Sequence, residues 1–255
     1  MGRTDKKSRT SWPGCSRRRM NPITKIAIPF MVTLALMAKA SATVQIPLYG
    51  GVNDETWQNI TIPGVNQTIF TKSTNGALIA DSMAGFGMVV RELEQVEDYP
   101  ILRWRWRIER HLPPTDASKK GGDDRPIAVH VWFPMADSET SIWTSIGDTL
   151  SGLIGLPPSG RVITYMCGGK HKAGTSFRNP HLPDRGMIVI RRDNKVPISQ
   201  WMTEEIDVAA DYQRLFGTSA PTPSHIAISA DTDDTGLKSR AAIADISFVA
   251  KPKKL

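Results

Sequence analysis

ILRWRWRIE, residues 101–109, alternates apolar and charged side chains from Leu102 onward. Successive side chains of an extended chain point to opposite faces. Leu102, Trp104, Trp106 and Ile108 therefore share one face, while Arg103, Arg105 and Arg107 share the other. A helix would scatter the same residues around its axis, so the period of two predicts a strand with one core face and one wet or ligand-facing face. IAVHVWF, residues 127–133, repeats the design, with Ile127, Val129, Val131 and Phe133 on one side and Ala128, His130 and Trp132 on the other.

Working outward, similar runs bounded by turn residues predict strands over 57–62, 68–71, 77–81, 88–93, 162–166, 187–191, 225–230 and 242–249. Ten or so strands separated by turns predict an all-β sandwich or barrel. Two stretches break the pattern. In SETSIWTSIGDTLSGLIGLPP, residues 138–158, Trp143, Ile146, Leu150, Leu153 and Ile154 recur at helical spacing before Gly155 and two prolines, which predicts an inserted amphipathic helix. DVAADYQRLFG, residues 207–217, predicts a short helix that offers Tyr212, Leu215 and Phe216 to the core and ends at Gly217.

The N-terminus reads differently. RRRMNPITKIAIPFMVTLALMAKASA, residues 17–42, places a basic stretch before a short apolar run and two A-x-A steps, the layout of a secretory signal peptide. Its uninterrupted run, 26–38, has 13 residues, fewer than the roughly 20 that span a bilayer. The expected division is a signal peptide over 1–42 and a single β-sandwich domain over 43–255, periplasmic or secreted, with no stable membrane span after cleavage. Residues 1–42 carry nine of the 32 Lys and Arg and one of the 25 Asp and Glu, so 23 basic residues face 24 acidic ones in what remains. The formal charge of +7 thus belongs to the leader and gives no reason to expect a nucleic-acid partner. Cys167 is the single cysteine beyond the leader, which rules out an intramolecular disulfide there.

The polar residues gather in two turns. Asp231-Thr-Asp-Asp-Thr-Gly236 follows an apolar strand and sets three carboxylates within four residues, a cluster that repels itself unless a calcium ion at Asp231 and Asp233 or a basic side chain neutralises it. A plain solvated turn is the other reading. Gly121-Gly-Asp-Asp-Arg-Pro126 forms a second acidic loop before the strand that carries His130. If the loops meet at one rim, Lys119, Asp124, Asp231 and Asp233 make a polar pocket, with His130 and Trp132 on the adjoining strand face as further ligand-binding candidates. The five histidines lack zinc-motif spacing, and no nucleophile-elbow, Walker or dinucleotide fingerprint is present. No cofactor and no catalytic residue is assigned from sequence.

The order of LRWRWRI, KKGGDDRPIAVHVWF, RVITYMCGG, GTSFRNPHLPDRGMIVI, WMTEEIDVAADYQRLFG and IAISADTDDTG, roughly over 50–249, resembles the bacterial family known as domain of unknown function 3047. The GDDRP turn, the DYQRLFG helix and the DTDDTG loop are its most specific pieces. The chain departs from that pattern at Tyr165-Met166-Cys167, where a Tyr-x-Trp step is expected, and in the insertion around Trp143. The resemblance implies an exported jelly-roll-like β-sandwich similar to carbohydrate-binding modules, and implies no reaction. The expected function is a non-catalytic binding domain for a glycan or other polar envelope ligand, the alternative being a polysaccharide hydrolase or lyase that uses paired aspartates.

Intact-mass analysis of the native protein is expected to show a chain beginning at Thr43 or Ser41; a soluble intracellular form that retains its arginine cluster overturns export.

Overall fold

A computed structural model describes residues 42–51, 54–135 and 160–252. The strands are β1 (Thr43–Gln45), β2 (Gln58–Ile60), β3 (Asn66–Gln67), β4 (Ile69–Lys72), β5 (Leu78–Met83), β6 (Gly85–Glu92) and β7 (Ile101–Arg110). They continue as β8 (Arg125–Pro134), β9 (Gly160–Cys167), β10 (Ser176–Arg178), β11 (Gly186–Arg192), β12 (Met202–Asp207), β13 (His225–Asp231) and β14 (Lys238–Val249). One helix, α1 (Val208–Phe216), lies among the described residues. One sheet runs β12-β7-β14-β5-β4, with β1 added against β14; the other runs β10-β11-β9-β8-β13-β6-β2, with β3 added against β6. The two sheets form the all-β sandwich that the alternating strands predict.

Strand β7 shows why. Leu102, Trp104, Trp106 and Ile108 are all buried, and the two indoles meet edge to face at 5.3 Å, a favourable aromatic geometry. Across the core they join Ile127, Val129, Val131 and Phe133 of β8 in one cluster. The basic face of β7 is a paired ladder: Arg103 binds Glu205 at 2.7 Å, Arg105 binds Asp245 at 2.5 Å and Arg107 binds Glu109 at 2.5 Å. Trp201 lies under the Arg105 and Arg107 guanidinium groups at 4.7 and 5.0 Å. The exposed Arg103–Glu205 and Arg105–Asp245 pairs contribute at most about 1 kcal/mol each. Strand β8 differs, because both of its faces are buried. Trp132 packs on the outer side with Ile60, Met88, Val90, Val162 and Ala227 in a second, smaller cluster.

Strand β12 was not among the predicted strands. It pairs with β7 in a register that sets Glu204 opposite Trp104, so a carboxylate occupies an inward position and interrupts the apolar period. Two guanidinium groups from β11 of the other sheet reach it, Arg191 Nη2 at 3.0 Å and Arg192 Nε at 2.5 Å. This ion triad ties one sheet to the other. Helix α1, which the sequence predicts within 207–217, follows β12 directly. Asp207 caps it by accepting from Ala210 N at 3.0 Å, and Gly217 ends it at φ 77°, where a side chain would be strained. Tyr212 then packs on Phe133 with ring centroids 4.7 Å apart.

Cys167 is buried, and burial pushes its thiol far above the usual range. No described helix is long and apolar enough to cross a membrane. The predicted amphipathic helix at 138–158 and the leader through Ser41 lie outside the described residues.

Glu204→Gln is expected to lower the unfolding free energy by about 2–3 kcal/mol in urea titrations. That is below the roughly 3–5 kcal/mol of a fully buried pair, because both arginines keep part of their hydration.

Candidate functional site

Strands β6, β13, β8 and β9 lie side by side, and their registers decide what the outer face of the larger sheet displays. His130 stands opposite Ala227 on one side and Thr164 on the other; Ser229 stands opposite Met88, and Trp132 opposite Val162. A cleft of about 320 Å³ opens on this face. Phe86, Met88, Trp132 and Val162 give it apolar surface. Asp123, Arg125, Asp231, Asp233 and Asp234 give it charge, and Asn179, His181 and Leu182 of the β10–β11 connection complete the lining.

Arg125 is the hub. Strict alternation along β8 would send it to the core side with Ile127. A register shift places Ser229 opposite Ala128 but Asp231 opposite Arg125, one extra residue on β8, and this bulge turns the guanidinium outward. Its Nη1 donates to the Asp123 carbonyl at 2.8 Å and to the Asp123 and Asp231 carboxylates, each at 3.3 Å. Its Nε and Nη2 donate to Ser229 Oγ at 3.2 and 3.1 Å. With both lone pairs of that hydroxyl engaged, its proton goes to His130 Nε2, 2.8 Å away. His130 therefore carries its own proton on Nδ1 and donates to Thr164 Oγ1 at 2.9 Å. Burial, with Arg125 adding to it, holds the imidazole well below its ordinary pKa, so it stays neutral. Asp231 shifts the other way: burial and the neighbouring Asp233 and Asp123 outweigh Arg125 and push its carboxyl up to about 8.

The two acidic loops do meet. Gly121 adopts φ 77°, and a Cβ on Gly122 would lie 2.4 Å from the Asp116 carbonyl oxygen, so this turn requires glycine. Asp116 holds the loop from below, accepting from Ser118 Oγ at 2.6 Å, His171 Nε2 at 2.8 Å and Lys170 Nζ at 2.9 Å. The chain then delivers Asp124, which accepts Asp234 N at 3.4 Å and Thr235 N at 2.8 Å. On the other side of the rim His181 Nε2 binds Asp123 Oδ1 at 3.1 Å. Carboxylate oxygens of Asp124, Asp233 and Asp234 lie within 4.8 Å of one another. Burial first, and then the surrounding carboxylates, raise the pKa of Asp234.

Of the six residues singled out in the sequence, His130, Trp132, Asp231 and Asp233 line the cleft. Two do not. Lys119 points to solvent with 75 % of its side chain exposed and reaches only Asp116, at 3.7 Å, because the tight glycine turn aims it away. Asp124 is buried and closes the two loops from within. Trp132 is 7 % exposed, a wall of the cleft and not an open platform. Of the pair expected to share a calcium ion, Asp231 turns toward Arg125, whereas Asp233 lies with Asp124 and Asp234 in the group of carboxylates within 4.8 Å of one another. Sequence reasoning missed Asp123, Arg125, Ser229, Asp234 and the 179–182 wall. Asp123, Arg125 and Asp234 lay within the two acidic loops without being singled out, and the alternation of β13 carried the signal for Ser229.

The model of the family described as protein of unknown function (DUF3047) matches residues 55–247. The chain belongs to the DUF3047 family. Curated proteins contain no match to it. Among solved structures, this DUF3047 chain is similar to the family 11 carbohydrate-binding module from Clostridium thermocellum in complex with a β-1,3-1,4-mixed-linked tetrasaccharide. That match covers 84 % of this chain and 99 % of the module, at 11 % identity and a TM-score of 0.40. It is also similar to endoglucanase Cel12A from Rhodothermus marinus, over 83 % of this chain and 100 % of that one, at 11 % identity and a TM-score of 0.41. The xyloglucanase domain of NopAA from Sinorhizobium fredii, in complex with cellobiose, matches over 76 % and 93 %, at 8 % identity and a TM-score of 0.42.

The opposed shifts give this DUF3047 chain a characteristic pH profile. His130, depressed in the folded state, binds fewer protons there than when unfolded, so its contribution is lost as pH falls below its ordinary 6.5. Asp231, raised in the folded state, binds more protons there, so its contribution is lost as pH rises toward 8. Of these two groups, Asp231 alone acts above about pH 6.5. Thermal unfolding is expected to show wild type losing stability between about pH 6.5 and 8 while Asp231→Asn stays flat; parallel profiles overturn the assignment.

Proposed function

We propose that this chain is an exported, non-catalytic domain that binds a glycan in the cleft on the outer face of the larger sheet. The observation that carries the reading is the composition of the cleft. Phe86, Met88 and Trp132 offer apolar surface to the C–H face of a sugar ring, while the aspartates, His181 and Asn179 offer acceptors and donors for its hydroxyls. The groups that would otherwise suggest chemistry are tied to one another: Asp231 to Arg125, and His130 between Ser229 and Thr164. Export to the periplasm or beyond is supported by the leader, and the near-neutral remainder fits a ligand recognised by hydrogen bonding.

A second reading, cleavage of a polysaccharide, is favoured by one observation. Asp231 holds a carboxyl pushed up to about 8 beside Asp233 in an open cleft, and a retained proton there is what a general acid needs.

A glycan array followed by calorimetry is expected to find an oligosaccharide whose affinity drops about tenfold in His181→Ala, a rim change that leaves the melting temperature in place. No binding by any glycan removes the proposal. Release of new reducing ends from the bound glycan, abolished by Asp231→Asn in a chain that still unfolds cooperatively, establishes the second reading instead.

A further inference from the structure

We infer that the cleft selects glycans that bear free amines over neutral and acidic ones. The inference rests on the cleft being a glycan site and adds the charge of its ligand. Four aspartates line the cleft against one guanidinium, that of Arg125; Asp231 keeps its proton below about pH 8 and Asp123 is held by Arg125 and His181, which leaves Asp233 and Asp234 to set the character of the rim. That guanidinium is only 6 % exposed, and Asp123, Asp231 and Ser229 take four of its five N–H groups, so it offers a ligand carboxylate at most one Nη2 donor. His130 adds no positive charge, because the hydrogen bonds of its two nitrogens are those of a neutral ring. Asp233 and Asp234 are exposed, and among the described residues neither takes part in an ion pair.

Three ligand classes fare differently against such a lining. A uronic acid or sulfated sugar adds a negative charge to a concave wall that already holds uncompensated ones, and a low-dielectric recess strengthens that repulsion. A neutral sugar finds acceptors for its hydroxyls but gains nothing from the field. An ammonium substituent presents three donors to acceptor-only carboxylates and relieves their mutual repulsion at Asp233 and Asp234. The apolar surface of Phe86, Met88 and Trp132 requires more than a point charge, since it is covered only by the ring that carries the amine. Amine and ring together describe a hexosamine unit without its acetyl group.

The test is calorimetry on the purified protein at about pH 6, where the amine is charged. Three oligosaccharides of equal length are compared: a β-1,4-linked glucosamine oligomer, its fully N-acetylated counterpart and an oligogalacturonate. The glucosamine oligomer is expected to bind at least about tenfold tighter than the acetylated one, with no heat from the galacturonate. The gap is expected to close in the Asp233→Asn, Asp234→Asn double variant, whose melting temperature confirms its fold, and to narrow in about 0.5 M salt. Equal or tighter binding of the acetylated oligomer, or a gap that survives the double variant, overturns the charge selection and leaves the glycan cleft standing. Silence with all three sugars overturns the charge selection, while the glycan cleft itself falls only if the array finds no ligand at all.

Discussion

An arginine that has given up nearly all of its hydration must find oxygen partners inside the protein, and Arg125 finds them on the loop before β8 and on strand β13. Unpaired, such a charge would cost several kcal/mol; removed, it would leave Asp123 and Asp231 facing each other across the same small volume. The two acidic turns can converge because this one cation stands between them. The polar side of the cleft is therefore a consequence of Arg125, and the hydrogen-bond direction that runs from it through Ser229 and His130 to Thr164 follows from its being permanently protonated.

The parts of the fold with one wet face and one dry face were readable from the sequence. In β7 the contrast between tryptophan and arginine leaves no other period, and its core face is the one expected. In β8 the inward side was equally clear, whereas the outward side with His130 and Trp132 gave no sign that it too would be covered, because Leu182 and Met88 reach it from distant parts of the chain. Strand β12 was hidden by Glu204, a charge at an inward position that makes sense only once Arg191 and Arg192 arrive from the other sheet. β14 starts four residues before its expected beginning, since the exposed Lys238 and half-buried Arg240 carry no apolar signal.

The site was readable in its residue types and not in its arrangement. Clustered aspartates in two turns implied a meeting point, and the turns do meet, through Asp124 and the N–H groups of Asp234 and Thr235. Which side chain enters the cleft was decided by a bulge and a glycine turn. The bulge brings Arg125 to a face that alternation denies it, and the turn at Gly121 and Gly122 carries Lys119 away. Neither event leaves a periodic trace, so no count of apolar positions could have revealed it.

Cys167 has a consequence for how this domain matures. Sealed in the core on the inward side of β9, its sulfur can reach neither a second thiol nor an oxidant without the sandwich opening first. The folded domain is thus indifferent to the redox poise of its surroundings, and it reaches the same state with or without thiol-oxidising machinery.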